Sequence, residues 1–136
     1  MQTMDEFVRK HGITMQCDPI PRRTDGLMEE LPYHWDCALT RRGSRKAMAV
    51  YFSMGSGHHG RRPHVAEVLE AIQSDASGFL DVRDFYEWAD EYGYGPDPDD
   101  LDAQRTFEAV GQQAAEIADF LGDELFEEFM TDVREA

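Results

Sequence analysis

The spacing of the apolar residues changes once along the chain, close to Pro63, and this change constrains the fold more than any other feature. Before Pro63, apolar and polar residues alternate over three short runs, which is the period-two pattern of half-buried strands. After Pro63, apolar residues recur every three or four positions, which is the pattern of amphipathic helices. A chain whose strands come first and whose helices follow predicts an α+β fold.

The alternating runs predict a small three-stranded antiparallel sheet. The first run covers residues 13–17, and the other two cover residues 33–39 and 48–54. The two later runs flank the sequence Arg41-Arg42-Gly43-Ser44, and a glycine-containing turn between two alternating runs is typical of a hairpin. The tip of this hairpin is basic.

Two further segments are predicted before the hairpin. The pattern Thr3-x-x-Glu6 is a capping box, and Gly12 follows at the end of a helical pattern, so a short helix is expected between them. The stretch from Pro19 to Pro32 is rich in proline and charge, and we expect it to be an irregular connection.

The second half of the chain predicts about four helices. Pro63 suits a first helical position, a second helix carries Val82 and is closed by Gly93, and Gly122 separates a long helix from a last one. No internal repeat or low-complexity linker divides the chain, so residues 1–136 are expected to form a single domain. Its first part, 1–62, holds the first helix and the sheet, and its second part, 63–136, is helical.

Cysteine content and hydropathy favour a cytoplasmic protein. Cys17 and Cys37 allow at most one disulfide, far below the density of a secreted scaffold, and we expect both to be buried free thiols. No run approaches the ~18 continuous apolar residues of a membrane span, and the N-terminus lacks the apolar stretch of a signal peptide.

Charge is divided unevenly between the two parts of the chain. Residues 1–62 hold ten Lys/Arg and seven Asp/Glu, whereas residues 63–136 hold three Lys/Arg and twenty-one Asp/Glu. The formal net charge of −15 disfavours nonspecific binding to nucleic acid or to an anionic membrane, since both carry the same sign. A solvated surface that keeps the protein soluble is one explanation of the acidic half.

A second explanation is that the acidic half binds a basic partner. Dense carboxylates can resemble the phosphates of nucleic acid to a partner whose binding channel is lined with Lys and Arg. Tyr94, in a Gly-Pro loop among acids, is a candidate interface anchor. With Tyr94, the predicted partner-binding residues are Asp97, Asp99, Asp100, Asp102, Glu116, Asp119, Asp123, Glu124, Glu127 and Glu128.

The stretch Gly55 to Gly60 has the spacing G-x-G-x-x-G of a dinucleotide-binding loop. The strands before it form a hairpin rather than a parallel pair, and no strand follows the next helix, so we interpret it as a flexible loop. Gly55 and Gly57, together with Arg61 and Arg62, remain possible anion-binding residues. A small nucleotide- or metal-dependent enzyme that uses Gly55 to His64 is an alternative hypothesis.

Three histidines and a possible calcium loop do not make a metal site. His58, His59 and His64 are better interpreted as solvated loop residues than as ligands. Asp97, Asp99 and Glu108 match a calcium loop in part, but Leu101 and Asp102 stand where an oxygen ligand and a glycine are needed. We expect no metal, no cofactor and no catalytic residue, because no nucleophile signature is present.

Four segments resemble a family of small, largely uncharacterised proteins of tailed bacteriophages and prophages. They read HWDCALTRRGSRKAMAVYFSMGSGH, PHVAEVLEAIQSDASGF, FYEWADEYGYGPD and FLGDELFEEF, and the resemblance extends from about His34 to Phe129. It implies an accessory protein in the cytoplasm of an infected bacterium and brings no catalytic residue. The relatives continue the block EYGYGPD with a serine and a basic pair, whereas this chain has Pro98-Asp99-Asp100-Leu101.

Setting and charge together lead to a functional hypothesis. Small acidic phage proteins often block nucleic-acid-binding surfaces of host defence complexes, so we expect a non-enzymatic inhibitor, specifically an anti-CRISPR protein that mimics nucleic acid. Neither direct nucleic-acid binding nor membrane binding is expected. A further alternative is a regulatory or assembly adaptor that uses the basic hairpin tip Arg41, Arg42, Arg45 and Lys46.

Overall fold

The computed structural model describes residues 1–24, 28–54, 61–93 and 101–134, and of residues 21–24 and 28–33 it describes the backbone. In chain order the elements are β1 (Gln2–Thr3), α1 (Met4–His11), β2 (Ile13–Thr24), β3 (Met28–Arg41), β4 (Ala47–Ser53), α2 (Val65–Leu80), α3 (Phe85–Glu91), α4 (Leu101–Leu121), α5 (Asp123–Thr131) and β5 (Val133–Arg134). A three-stranded antiparallel sheet is followed by helices, so the predicted α+β class is confirmed.

The chain forms two compact units. The sheet unit comprises Gln2–Leu69 and the C-terminal residues from Arg134, and the helical unit comprises Glu70–Val133 together with Met1. The boundary lies within α2, between Leu69 and Glu70.

The sheet has the strand order β2-β3-β4, and alternate residues of its strands form the core of the sheet unit. Cys17 of β2 is paired with Cys37 of β3, which is paired with Val50 of β4, and all three side chains are buried. Burial alternates along β4, as the period-two pattern requires. The predicted sheet and the predicted hairpin around Arg41 to Ser44 are confirmed.

Our prediction of an irregular connection from Pro19 to Pro32 is wrong. β2 and β3 continue as a paired ribbon through Arg22↔Glu30 and Thr24↔Met28, beyond the residues of β3 that pair with β4. Proline is tolerated here because β2 is an edge strand and because the register shifts between Ile20 and Arg22. Only one residue of β2 opposes three residues of β3 at that shift, so Pro32 lies where the ladder is already interrupted.

The first helix begins and ends as predicted. The Thr3 side chain accepts a hydrogen bond from the Glu6 backbone N–H, and Gly12 adopts the left-handed conformation with φ 61°. Arg42 from the hairpin tip contacts the same end of the helix, where its guanidinium donates to the Lys10 carbonyl oxygen (2.9 Å). A cation placed at a helix C-terminus also interacts favourably with the helix dipole.

Two predicted helix starts were wrong by a few residues. α2 begins at Val65 rather than at Pro63, since the His64 carbonyl accepts the first helical hydrogen bond, from Val68. Val82 precedes α3, whose N-cap is Asp84, and the Asp84 side chain accepts from the Glu87 backbone N–H (3.0 Å). For α3 a polar cap, which apolar spacing does not locate, sets the start of the helix.

The helical unit is built on a core in which one polar side chain is buried with the apolar ones. Gln73 of α2 is 8% exposed, and its amide nitrogen donates to the carbonyl oxygens of Phe129 (2.7 Å) and Val133 (3.0 Å) at the end of α5. The buried apolar residues of this unit are Ile72, Ala76, Trp88, Ala89, Ala103, Ala114, Ile117, Phe120, Leu121, Phe129 and Val133.

Glycines allow close approach of side chains at two places in the helical unit. A Cβ at Gly111 of α4 would lie 2.7 Å from the ring of Phe79, and a Cβ at Gly78 of α2 would overlap the Tyr92 hydroxyl. Each glycine therefore provides the space that an aromatic ring occupies. Gly122, with φ 80°, separates α4 from α5 as predicted. Leu101, in the first turn of α4, is 61% exposed.

Candidate functional site

Most of the predicted partner-binding residues that the structure describes lie on α4 and α5. Tyr94, Asp97, Asp99 and Asp100 lie outside the described residues. Asp102 is exposed in the first turn of α4, where a carboxylate interacts favourably with the helix dipole. The other six residues are grouped around the junction of the two helices, and we call them the acidic corner: Glu116, Asp119, Asp123, Glu124, Glu127 and Glu128.

Helical spacing places the α4 members of the acidic corner on the solvent side of that helix. Glu116 and Asp119 are exposed and lie three residues apart, whereas Ala114, Ile117 and Phe120 between and beside them are buried. Gln112, one turn earlier, donates to the Glu116 carboxylate (3.1 Å). Glu116 and Asp119 lie near the C-terminal end of α4, where the helix dipole is negative and a carboxylate is unfavourable. They therefore do not stabilise the helix.

The α5 members continue the same charge after Gly122. Asp123 and Glu124 occupy the first turn of α5, which has no side-chain cap, and Glu127 follows one turn later. All three are exposed, Glu128 is half-buried, and Phe129 is fully buried. Within the part of the chain that the structure describes, Asp123, Glu124 and Glu127 form no ion pair.

The helical unit has few cations of its own to balance this charge. Residues 70–133 contain nineteen Asp/Glu and two Arg. One of the two, Arg83, forms an ion pair with Glu87 (3.1 Å), and the pKa of Arg83 is raised mainly by that hydrogen bond. Unbalanced charge of this size opposes folding through self-repulsion, and neutralisation by a partner would relieve it.

The predicted anion-binding arginines have partners inside the sheet unit. Arg61 donates two hydrogen bonds to the Glu67 carboxylate, at 2.8 and 2.9 Å. The Arg61 hydrogen bond, with a smaller contribution from the His64 backbone N–H, lowers the pKa of Glu67 to about 2. Arg62 donates to the Cys17 carbonyl oxygen (2.6 Å), and its guanidinium carbon lies 5.3 Å from the centroid of the Trp35 ring. Gly55 and Gly57 lie outside the described residues.

A cavity of about 620 Å³ lies beside these arginines in the sheet unit. One wall is the edge strand β2, and the other is the segment that leads into α2. The lining residues are Met15, Gln16, Cys17, Asp18, Arg62, Pro63, His64 and Val65. This is the described part of the region in which the enzyme alternative would place its site, and the Gly55 to Gly60 stretch on which that alternative depends is outside the described residues.

The two cysteines face each other in the core of the sheet unit. Both are free and buried, as expected, and Cys17 Sγ lies 3.4 Å from Cys37 Sγ. Burial, and secondly the contact with Cys17, raises the pKa of Cys37 to about 12. A thiol held in this neutral state is a poor nucleophile and a poor metal ligand.

Sequence reasoning missed a second cavity, which lies in the helical unit. It measures about 270 Å³ and is formed by three helices: α2 supplies Asp75, α3 and its C-cap supply Trp88 and Tyr92, and α4 supplies Thr106 and Val110. Trp88 and Tyr92 are four residues apart, as are Thr106 and Val110, so each pair lies along one side of the chain that carries it. The sequence signal was Gly78, since a glycine inside an amphipathic helix suggests close approach by another group.

Comparisons with known proteins do not assign the chain to a family. No protein-family model matches the sequence, and neither a curated protein nor a solved structure shows significant similarity to it. Among the described residues, no helix is long and apolar enough to span a membrane. Within the same ranges, no group of three or more His, Cys, Asp and Glu side chains is arranged to hold a metal ion.

Proposed function

We propose that this protein is a non-enzymatic inhibitor that presents the acidic corner to a basic, nucleic-acid-binding surface of a bacterial defence complex, with a CRISPR effector as the specific target. The observation that carries the proposal is the exposure of Asp123, Glu124 and Glu127 without an ion pair among the described residues, in a unit with nineteen Asp/Glu and two Arg. The phage setting and the kind of partner come from the family resemblance.

A basic partner would gain binding energy by forming several ion pairs with the acidic corner at once. A single exposed ion pair contributes about 0.2–1 kcal/mol, so one carboxylate cannot hold a partner. A group of six on two consecutive helices can form several pairs at once, and the like-charge repulsion within the helical unit falls at the same time. Such binding is expected to associate rapidly and to weaken as salt screens the charges over about 10 Å or less.

The test is phage plating on bacteria that carry an active CRISPR-Cas system or a restriction system, with and without expression of the protein. Expression should raise plating efficiency on at least one such host. The variant Glu116→Gln, Glu124→Gln, Glu127→Gln should lose most of this effect. The control Asp81→Asn, Asp90→Asn, Glu91→Gln changes the net charge equally through exposed residues outside the acidic corner, and it should retain the effect.

Two results would reject the proposal. In one, the protein protects phage on none of the hosts that carry such systems. In the other, the acidic-corner variant protects as well as the natural sequence, which would remove the electrostatic mechanism. Direct binding of the protein to a purified target complex without nucleic acid should also be tighter at about 50 mM salt than at about 300 mM salt.

The adaptor alternative depends on the hairpin tip, where Arg42 already forms hydrogen bonds within the sheet unit. Its guanidinium binds the Lys10 carbonyl and its backbone N–H donates to the Gly12 carbonyl (3.1 Å). Arg45 and Lys46 are both exposed and would have to carry that function. Reversing these two charges should leave plating unchanged under the proposed function and abolish partner recovery under the adaptor hypothesis.

A further inference from the structure

The 270 Å³ cavity of the helical unit combines aromatic walls with oxygen acceptors. Trp88 is 3% exposed and lines the cavity, whereas Tyr92 is 48% exposed, so Tyr92 offers ring surface to an incoming group. The centroids of the two rings are 5.3 Å apart, and their planes are tilted by 34°. Val110 adds an aliphatic contact.

The Tyr92 ring lies against the helix opposite. A Cβ at Gly78 would overlap the Tyr92 hydroxyl, so the ring lies directly against the α2 backbone at a position where any other residue would displace it. Gly78 is three residues after Asp75, and the two therefore lie on the same face of α2. The carboxylate and the aromatic wall are thus held together by one helix.

The polar groups of the cavity are suited to receive hydrogen bonds. The Asp75 carboxylate has no hydrogen-bond or ion-pair partner among the described residues. Asp75 is exposed to solvent, and partial desolvation raises its pKa. The Thr106 hydroxyl donates its hydrogen to the Asp102 carbonyl (2.9 Å), which leaves its oxygen able to accept. None of the described residues that line the cavity is a Lys or an Arg. A group that enters this cavity is favoured if it is positively charged and carries several N–H donors.

We propose that the cavity binds the guanidinium of an arginine side chain from a partner protein. Guanidinium is planar, stacks on aromatic rings and donates to carboxylates through two N–H groups, whereas an ammonium is a compact, strongly hydrated charge. The same chain contains such a contact in its sheet unit, where Arg62 lies over Trp35. The inference rests on the proposed function in taking the partner surface to be basic.

The test uses a small probe, so it does not need the partner. N-acetyl-arginine methylamide is titrated into the protein, and the two tryptophan indole N–H signals are followed by NMR. Trp88 lines the cavity, and Trp35 belongs to the sheet unit and serves as the internal reference. We expect a saturable shift of the Trp88 signal and a much smaller shift of the Trp35 signal.

Three comparisons make the result specific. The citrulline analogue has the same shape without charge and should produce no saturable shift. The lysine analogue should bind more weakly than arginine. Asp75→Asn should weaken arginine binding about threefold to tenfold, while Asp81→Asn, an exposed carboxylate outside the cavity, should leave it unchanged. Binding of citrulline equal to that of arginine, or an unaltered affinity in Asp75→Asn, would overturn the inference.

The failure of this inference can be told apart from failure of the proposed function. The acidic-corner variant should still bind the arginine probe, because its substitutions lie outside the cavity. If the probe does not bind but phage plating behaves as expected, the proposal of an arginine site in the cavity is rejected and the proposed function of the acidic corner stands. If the probe binds but no host is protected, the arginine site stands and its partner is not a defence complex.

Discussion

Gln73 is the position at which a single substitution should destabilise the helical unit most clearly through hydrogen bonding alone. Its amide nitrogen donates to two carbonyl oxygens, those of Phe129 and Val133, and all three residues are buried. Gln73→Met keeps the length and helix propensity of the side chain but removes both donors. Each buried carbonyl that loses its hydrogen bond to Gln73 costs about 1–3 kcal/mol, so we expect a loss of about 2–6 kcal/mol in the free energy of unfolding.

The measurement is urea denaturation followed by circular dichroism at neutral pH. Gln112→Met is the matched control, because Gln112 is exposed on α4 and its side chain donates to the exposed Glu116 side chain. It should change stability by less than about 0.5 kcal/mol. If Gln73→Met costs no more than Gln112→Met, the two hydrogen bonds do not stabilise the end of α5, and the reasoning is refuted.

A second variant at the same position adds a pH dependence. In Gln73→Glu, an ionised carboxylate would face two carbonyl oxygens, so the native state favours the protonated form and the folded pKa rises above the unfolded value of about 4.3. The stability of Gln73→Glu relative to that of Gln73→Met should therefore be greatest below pH 4 and should fall as the pH rises to neutrality. A flat difference between the two variants over this range would contradict the burial of the site.

Three further predictions concern the sheet unit. Glu67→Gln should lower the free energy of unfolding by about 0.5–1 kcal/mol at neutral pH, because it weakens the partly exposed ion pair with Arg61. The pKa of Glu67 is lowered to about 2, so the difference in stability between the variant and the natural protein should disappear as the pH falls from about 4.5 towards 2. Urea titrations at several pH values measure this difference. Because the pKa of Cys37 is raised to about 12, the free energy of unfolding of the natural protein should fall between pH 9 and pH 12. Cys37→Ala should make this fall with pH less steep. Equally steep falls in the two proteins would exclude the Cys37 thiol as the cause. Thr3→Ala should lower stability by about 1 kcal/mol and Thr3→Ser should not, as thermal melting can show, and equal melting temperatures would mean that the cap is not used.

Features with local causes could be predicted from the sequence. The Thr3 cap and the Gly12 termination of α1 depend on neighbouring residues, and alternation in β4 depends on which face is buried. The prolines of 19–32 misled us because their cost depends on strand position, which is a property of the whole sheet. Pro19 and Pro21 lie on the edge strand β2, and Pro32 lies in the part of β3 that precedes its pairing with β4, beside a register shift.

The candidate sites differ in how far they could be predicted. The exposure of Glu124 and Glu127 follows from the apolar spacing around Phe129, so helical periodicity was sufficient. The 270 Å³ cavity of the helical unit brings together Asp75, Trp88 and Thr106, which belong to three different helices. No spacing rule relates positions on different helices, so this site could be found only from the folded chain.

The contact between Gly111 and Phe79 has a consequence for how this sequence can vary. The ring on α2 occupies the volume that a side chain on α4 would need, so the two positions share one space. A methyl group added at 111 should be tolerated only where the residue at 79 becomes smaller, as in Gly111→Ala combined with Phe79→Leu. Natural relatives of this chain should therefore exchange bulk between these two sites as a pair, and a larger residue at one should accompany a smaller residue at the other.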